Sequence, residues 1–177
     1  MTPARTRVLH TYLDAKDLQR PHLFADVFTS DARFQSRFAF EGDFGDGSPV
    51  FGLPAITDTF RALGAHFENI YTVYLDDTVT DGEELRFDWI VAMTDRTSRE
   101  ARVAWGDYAW RFTDDDRLAT DLDVLMLQMD VLPPEQAPEV AARMHALPHP
   151  WLSRNAARRG LDALPLPALH AWLEGPT

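Results

Sequence analysis

Residues 101–130 constrain this chain most: two long runs of alternating or continuous apolar character, joined by Asp114-Asp115-Asp116-Arg117. Runs of that length and β-branched or aromatic content read as paired strands with an acidic turn between them. On the first, Val103 and Trp105 share one face by the two-residue period. Tyr108, Trp110 and Phe112 alternate one step out of phase with them. A β-bulge at Gly106-Asp107 would produce that slip, because one extra residue flips every later side chain and glycine tolerates the bend. A strand buried on both faces would need no bulge, and both readings stay open.

On the second strand, Asp121 and Asp123 share a face with Leu125, Leu127 and Met129, while Leu122, Val124 and Met126 occupy the other. A strand apolar on both sides is covered on both sides. The two carboxylates, about 6.6 Å apart along the strand, are thus expected to point into a partly dry cup. There one carboxyl would titrate high enough for general acid or base work. The competing reading is a solvated strand end.

Earlier in the chain, Thr2-Pro3 reads as a helix cap followed by proline at the first helical position, with Val8, Leu9, Tyr12 and Leu13 on one face. Asp14, Lys16 and Asp17 close that helix in a polar turn. A second helix is expected from Pro21, burying Leu23, Phe24, Val27 and Phe28, stopped by Ser30-Asp31. Residues 33–40 then form a strand carrying Phe34, Ser36, Phe38 and Phe40 on one face. The Gly- and Asp-rich stretch 41–52 lacks calcium-loop spacing and reads as a lid over a pocket mouth. A helix from Pro54 buries Ile56, Phe60, Leu63 and Phe67, with His66 near its end as a solvated cap or a site residue. Two strands follow, 70–79 and 85–93, the latter alternating Leu85, Phe87, Trp89, Val91 and Met93, with Asp81-Gly82 as the turn.

Three helices followed by four sequential strands imply an α+β domain, helices on one face of a curved antiparallel sheet. The expected boundaries are a domain at 1–132 and a helical, proline-rich extension at 133–177. Eight of the twelve prolines lie from position 131 onward, and there four acids balance four arginines, so the net charge of −11 belongs to the first 130 residues. That acidity argues against nucleic-acid and anionic-membrane partners. No cysteine is present, and no run of 18 apolar residues occurs, so a cytoplasmic protein is the expectation. Sixteen of the seventeen basic residues are arginine, which suits GC-rich bacterial coding. None of the motifs HExxH, GxSxG or GxGxxG occurs, and His145 and His149 have Pro148 between them, which spoils a helical metal pair. No metal and no organic cofactor is expected.

The succession of helix, YLDAKD turn, FTSDARF, the FGLPAITDTF helix and four strands resembles the nuclear transport factor 2-like superfamily, over about residues 5–130. Within it the chain is most similar to SnoaL-like polyketide cyclases, ketosteroid isomerase and scytalone dehydratase. The resemblance implies a cone-shaped sheet with an apolar cavity. It places the oxyanion-hole tyrosine of the isomerase at Tyr12, its general base at Ser36 and its protonated aspartate at Tyr108. The isomerase base is therefore absent, while Tyr12 with Tyr108 remain able to polarise a carbonyl. The dehydratase's Tyr-Asp pair falls on Leu13 and Asp14. The late-strand aspartate of the cyclases falls at Asp121 or Asp123.

Together these readings give a candidate site. Asp121, Asp123, Tyr12 and Tyr108 would act on substrate; Asp14, Phe34, Ser36, Phe38, His66, Phe87, Trp89 and Trp110 would bind it. The expected activity is acid/base chemistry on an apolar carbonyl compound by a cyclase, isomerase, dehydratase or hydrolase. The alternative is a non-catalytic binding or assembly module, like a dioxygenase β subunit. A homodimer is expected too, because Ile70, Tyr74, Ile90 and Trp105 look too apolar for an open sheet face.

Overall fold

The computed structural model describes residues 1–40 and 47–175. Residues 41–46, most of the expected lid, lie outside them. Helix α1 (Pro3–Asp17) starts where the Thr2 side chain accepts a hydrogen bond from the Arg5 amide at 3.2 Å, filling one of the orphan donors of a helix N-terminus. It buries Val8, Leu9, Tyr12 and Leu13. A 3-10 turn follows (Pro21–Asp26), in place of a full second helix. Phe28 already belongs to strand β1 (Phe28–Phe38), whose start is secured by the Ala119 amide donating to the Val27 carbonyl at 2.7 Å. Ser30 and Asp31 therefore lie within a strand and do not end a helix.

Next come β2 (Val50–Phe51), α2 (Leu53–His66), β3 (Phe67–Leu75), β4 (Thr80–Asp81) and β5 (Leu85–Asp95). A short 3-10 turn at Asp76–Thr78 separates β3 from β4. The turn after Asp81 thus joins β4 to β5 and not the two long strands. The central hairpin is β6 (Ala101–Phe112) with β7 (Ala119–Leu132). After it come α3 (Ala137–His145), β8 (Trp151–Leu152), α4 (Arg154–Leu161) and α5 (Pro167–Glu174).

The strands form one curved sheet in the order β2-β1-β7-β6-β5-β3-β8, with β4 on β5. Pairing is antiparallel except for β1 on β7 and β8 on β3, which are parallel. Both α1 and α2 fill the concave side, where Leu9, Phe24 and Ile56 pack against Phe87, Trp110 and Leu122. At about 1.5–3 kcal/mol per fully buried large apolar side chain, this inner layer dominates the stability of the cone.

The phase slip expected on β6 is on the other strand. β6 alternates without interruption, Ala104, Tyr108 and Trp110 facing in and Val103 and Trp105 facing out. Trp105 pairs with Gln128 but Gly106 with Met126, so Leu127 is the extra residue, on β7. Before this bulge Leu122, Val124 and Met126 face the concave side; after it Met129 does. The apparent slip in the sequence arose because both faces of β6 are buried.

What buries the outer face is the chain's own C-terminal segment. Val140, Met144, Leu152, Leu161, Leu169 and Leu173 form a second apolar layer with Val73, Ile90, Val103 and Trp105. Ile90 and Trp105 are therefore covered within the chain, and Ile70 and Tyr74 belong to the inner layer. The four side chains on which a dimer was expected are thus buried within the chain and do not form an open apolar face. Arg154 fastens the segment: it pairs with Asp88, donates to the Trp172 carbonyl at 2.8 Å and lies 4.5 Å from the Trp172 ring centroid. Tyr71 contacts His145 and His149 at ring-centroid distances of 4.2 and 4.9 Å. Among the described residues, no helix is long and apolar enough to cross a membrane.

Candidate functional site

Strand parity decides which side chains reach the concave side. From β1 these are Phe34, Ser36 and Phe38, and from β6 Tyr108. From β5 they are Trp89, Val91 and Met93, and from β7 Val124, Met126 and, past the bulge, Met129. Helix α1 adds Tyr12 and Lys16, one turn apart, and α2 adds Phe60 and Leu63. Between them lies a cavity of about 210 Å³. Its wall is almost wholly aromatic and aliphatic, so an apolar occupant would be driven in by burial and oriented by the few polar atoms present.

Those polar atoms sit together. The Tyr12 and Tyr108 rings meet edge-on, with centroids 6.0 Å apart, on the wall of the cavity. Burial pushes the Tyr12 hydroxyl well above its ordinary pKa, aided by Tyr108 and Tyr74; burial likewise pushes Tyr108 up. Both stay protonated near neutral pH. Trp89 stacks on Tyr108 at 5.3 Å, and its buried indole N–H has no hydrogen-bond partner among the described residues.

Among the described residues that line this space, Lys16 carries the charge. Its ammonium pairs with Asp17 and donates to Thr72 Oγ1 at 2.7 Å. Asp17 in turn accepts from the Thr72 amide at 2.7 Å and from the Thr72 hydroxyl at 3.1 Å. Sequence reasoning left Lys16 and Asp17 in a polar helix end. A usable signal was present: a chain that places arginine at every other basic position has one lysine, four residues after Tyr12 and so on the same helix face.

Of the expected site residues, the structure gathers Tyr12, Tyr108, Phe34, Ser36, Phe38 and Trp89 around the cavity. Phe87 and Trp110 face the same side but are packed into the core. Phe87 lies against Tyr74 and Trp151 at 4.8 and 4.9 Å, and Trp110 against Tyr12 at 5.0 Å. Asp14 and His66 are exposed, on α1 and at the end of α2.

Asp121 and Asp123 are on the opposite face of β7 from Leu122 and Val124 and do not line the cavity. Asp121 accepts from Arg33 at 3.0 Å and Asp123 from Arg37 at 2.9 Å, across the parallel β1–β7 pairing. Their expected place in an apolar cup is overturned by parity: the cavity takes the even-numbered side chains of this part of β7, and the partners of the odd ones are arginines of β1. Among the described residues, no cluster of His, Asp and Glu is arranged to hold a metal ion.

No protein-family model and no curated protein matches the chain. Solved structures do. The Δ5-3-ketosteroid isomerase of Mycobacterium sp. superposes with a TM-score of 0.57 at 14% identity, covering 74% of this chain and 99% of that one. A Mycobacterium tuberculosis protein, solved in complex with estradiol-17beta-hemisuccinate, gives 0.57 at 12% identity over 73% and 99%. A ketosteroid isomerase-like protein from Catenulispora acidiphila, solved with trimethylamine, gives 0.55 at 12% identity over 70% and 85%. With the helices, the curved sheet and its concave cavity, these likenesses establish that the chain has the cone-shaped α+β fold of the nuclear transport factor 2-like superfamily.

Proposed function

We propose that the protein binds a small, apolar, carbonyl-bearing molecule in the concave cavity and polarises its oxygen through the Tyr12–Tyr108 pair. The observation that carries this reading is the pair of buried tyrosines, Tyr12 and Tyr108, set together in an otherwise apolar wall. Buried donors left without an acceptor cost about 1–3 kcal/mol each, which a ligand oxygen would recover. The ligands of the solved structures with this fold, a steroid ester and a small amine, support a binding role for the cavity without fixing its chemistry. An isomerase- or cyclase-type enzyme is the first form of this proposal, since a polarised carbonyl acidifies the neighbouring C–H bonds.

A second form, a non-catalytic binding module, is favoured by the outward ion pairs of Asp121 and Asp123. They take away the carboxylates expected to move the proton. Titration of tryptophan fluorescence with 2-acetylnaphthalene tests binding; Tyr108→Phe should weaken it about tenfold. Hydrogen–deuterium exchange at the methyl group of that ketone, followed by NMR in heavy water, separates the two forms. Exchange accelerated by the protein supports the enzyme, and exchange at the buffer rate supports the module. Unchanged fluorescence over the whole titration would remove the proposal.

A further inference from the structure

Lys16 is 7 % exposed, and its ammonium belongs to a closed ring of hydrogen bonds with Asp17 and Thr72. An ammonium has three donors. Two are taken, by Asp17 and by Thr72 Oγ1, and the side chain lines the cavity. Its Nζ also lies 5.8 Å from the Tyr12 ring centroid, so the helix presents cation and phenol to the same space.

We propose that Lys16 is a ligand-binding residue, giving its third N–H to the ligand oxygen that Tyr108 also holds, and that the ligand is neutral: a ketone, aldehyde or lactone and not a carboxylic acid. This rests on the function proposed above and narrows its substrate class. The argument for neutrality is charge balance. The Asp17 side chain is as buried as that of Lys16, 7% against 6%, and cancels its charge at hydrogen-bond distance. The cavity thus offers donors without a net positive charge. A carboxylate entering it would be buried beside Asp17 with no unmatched cation, a costly arrangement. A carbonyl oxygen can accept both N–H and O–H without that penalty, since it has two lone pairs and no charge to desolvate.

A matched pair of probes tests this: 2-acetylnaphthalene and 2-naphthoate, equal in heavy-atom count and differing in charge. Isothermal titration of the full chain at neutral pH should show the ketone binding about tenfold tighter or more. Lys16→Met alone would leave Asp17 buried without its cation, so the informative variant is Lys16→Met/Asp17→Asn, which removes both charges. It should lose about tenfold in ketone affinity. Asp17→Asn alone leaves the ammonium uncompensated and should narrow or reverse the preference in favour of 2-naphthoate. Ketone affinity unchanged in the double variant, or a preference unmoved by Asp17→Asn, overturns the role of Lys16. Tighter binding of 2-naphthoate by the wild type overturns the neutral class. Failure of the wild type to bind either probe removes the underlying functional proposal with it.

Discussion

A Cβ built on Gly106 would stand 1.8 Å from the carbonyl oxygen of Leu125 and 2.9 Å from its carbonyl carbon. The β7 bulge at Leu127 brings that backbone over β6, and only a residue without a side chain fits beneath it. Gly106→Ala should therefore cost about 3 kcal/mol or more, because the atoms in the way are backbone and cannot turn aside. Denaturant unfolding measures it; a loss under about 0.5 kcal/mol, the range of neutral surface changes, would mean that the bulge is not present in solution.

How far the sequence could go is visible at this same place. The alternation of β5 and the row Phe34, Ser36, Phe38 were legible, because polar side chains (Arg86 and Asp88; Arg33, Gln35 and Arg37) mark the other face of each strand. β6 and β7 were not, since the concave core covers one face of β6 and the C-terminal helices the other. Two-residue periodicity cannot tell inside from outside when both are apolar. Asp121 and Asp123 were misplaced for the same reason, and the arginines that hold them are 88 and 86 residues away in the chain. Tyr12 and Tyr108 came from a family pattern. Lys16 depended on Thr72, 56 residues on, a contact that no local spacing announces.

The outward ion pairs carry their own prediction. Arg33, Arg37, Asp121 and Asp123 are all partly exposed, from 21% to 48% by side chain, so each pair contributes little, about 0.2–1 kcal/mol. Asp121→Asn and Asp123→Asn should lower stability by no more than that, less so in high salt, and leave the affinity for 2-acetylnaphthalene unchanged. Either variant losing binding tenfold while remaining folded would return these carboxylates to the site.

Stability should fall as the pH rises above 10. Tyr12, Tyr74 and Tyr108 are buried and raised in pKa from an unfolded value of 10.0. Above that value the unfolded chain loses these protons while the folded chain keeps them. The folded state then binds more protons, and the unfolding free energy decreases with pH until the folded groups themselves ionise. Guanidinium unfolding between pH 8 and about 11 should show the decline, and Tyr74→Phe should make it shallower. A flat profile, with an ultraviolet tyrosinate titration centred near 10 in the folded protein, would contradict the burial of all three.

The C-terminal segment is predicted to act as the cover that a second subunit would otherwise supply. With Val73, Ile90, Val103 and Trp105 already buried by its leucines, the full chain should scatter light as a monomer near 20.1 kDa across a concentration series. A chain ending at Leu132 would expose that face and self-associate. Arg154 is the point to probe without deletion, because Asp88 is half-buried and burial raises its pKa, a rise that the pairing with Arg154 opposes. Arg154→Ala should raise the Asp88 pKa further and cost about 1–2 kcal/mol at neutral pH. The sign follows from linkage: a carboxyl raised in the folded state destabilises the fold once it ionises, so the loss should shrink as the pH falls through the folded pKa of Asp88. Asp88→Asn in the same chain should recover part of the loss. Should Arg154→Ala unfold at the wild-type midpoint, and the chain ending at Leu132 stay monomeric, the segment would be lying on the sheet without holding it.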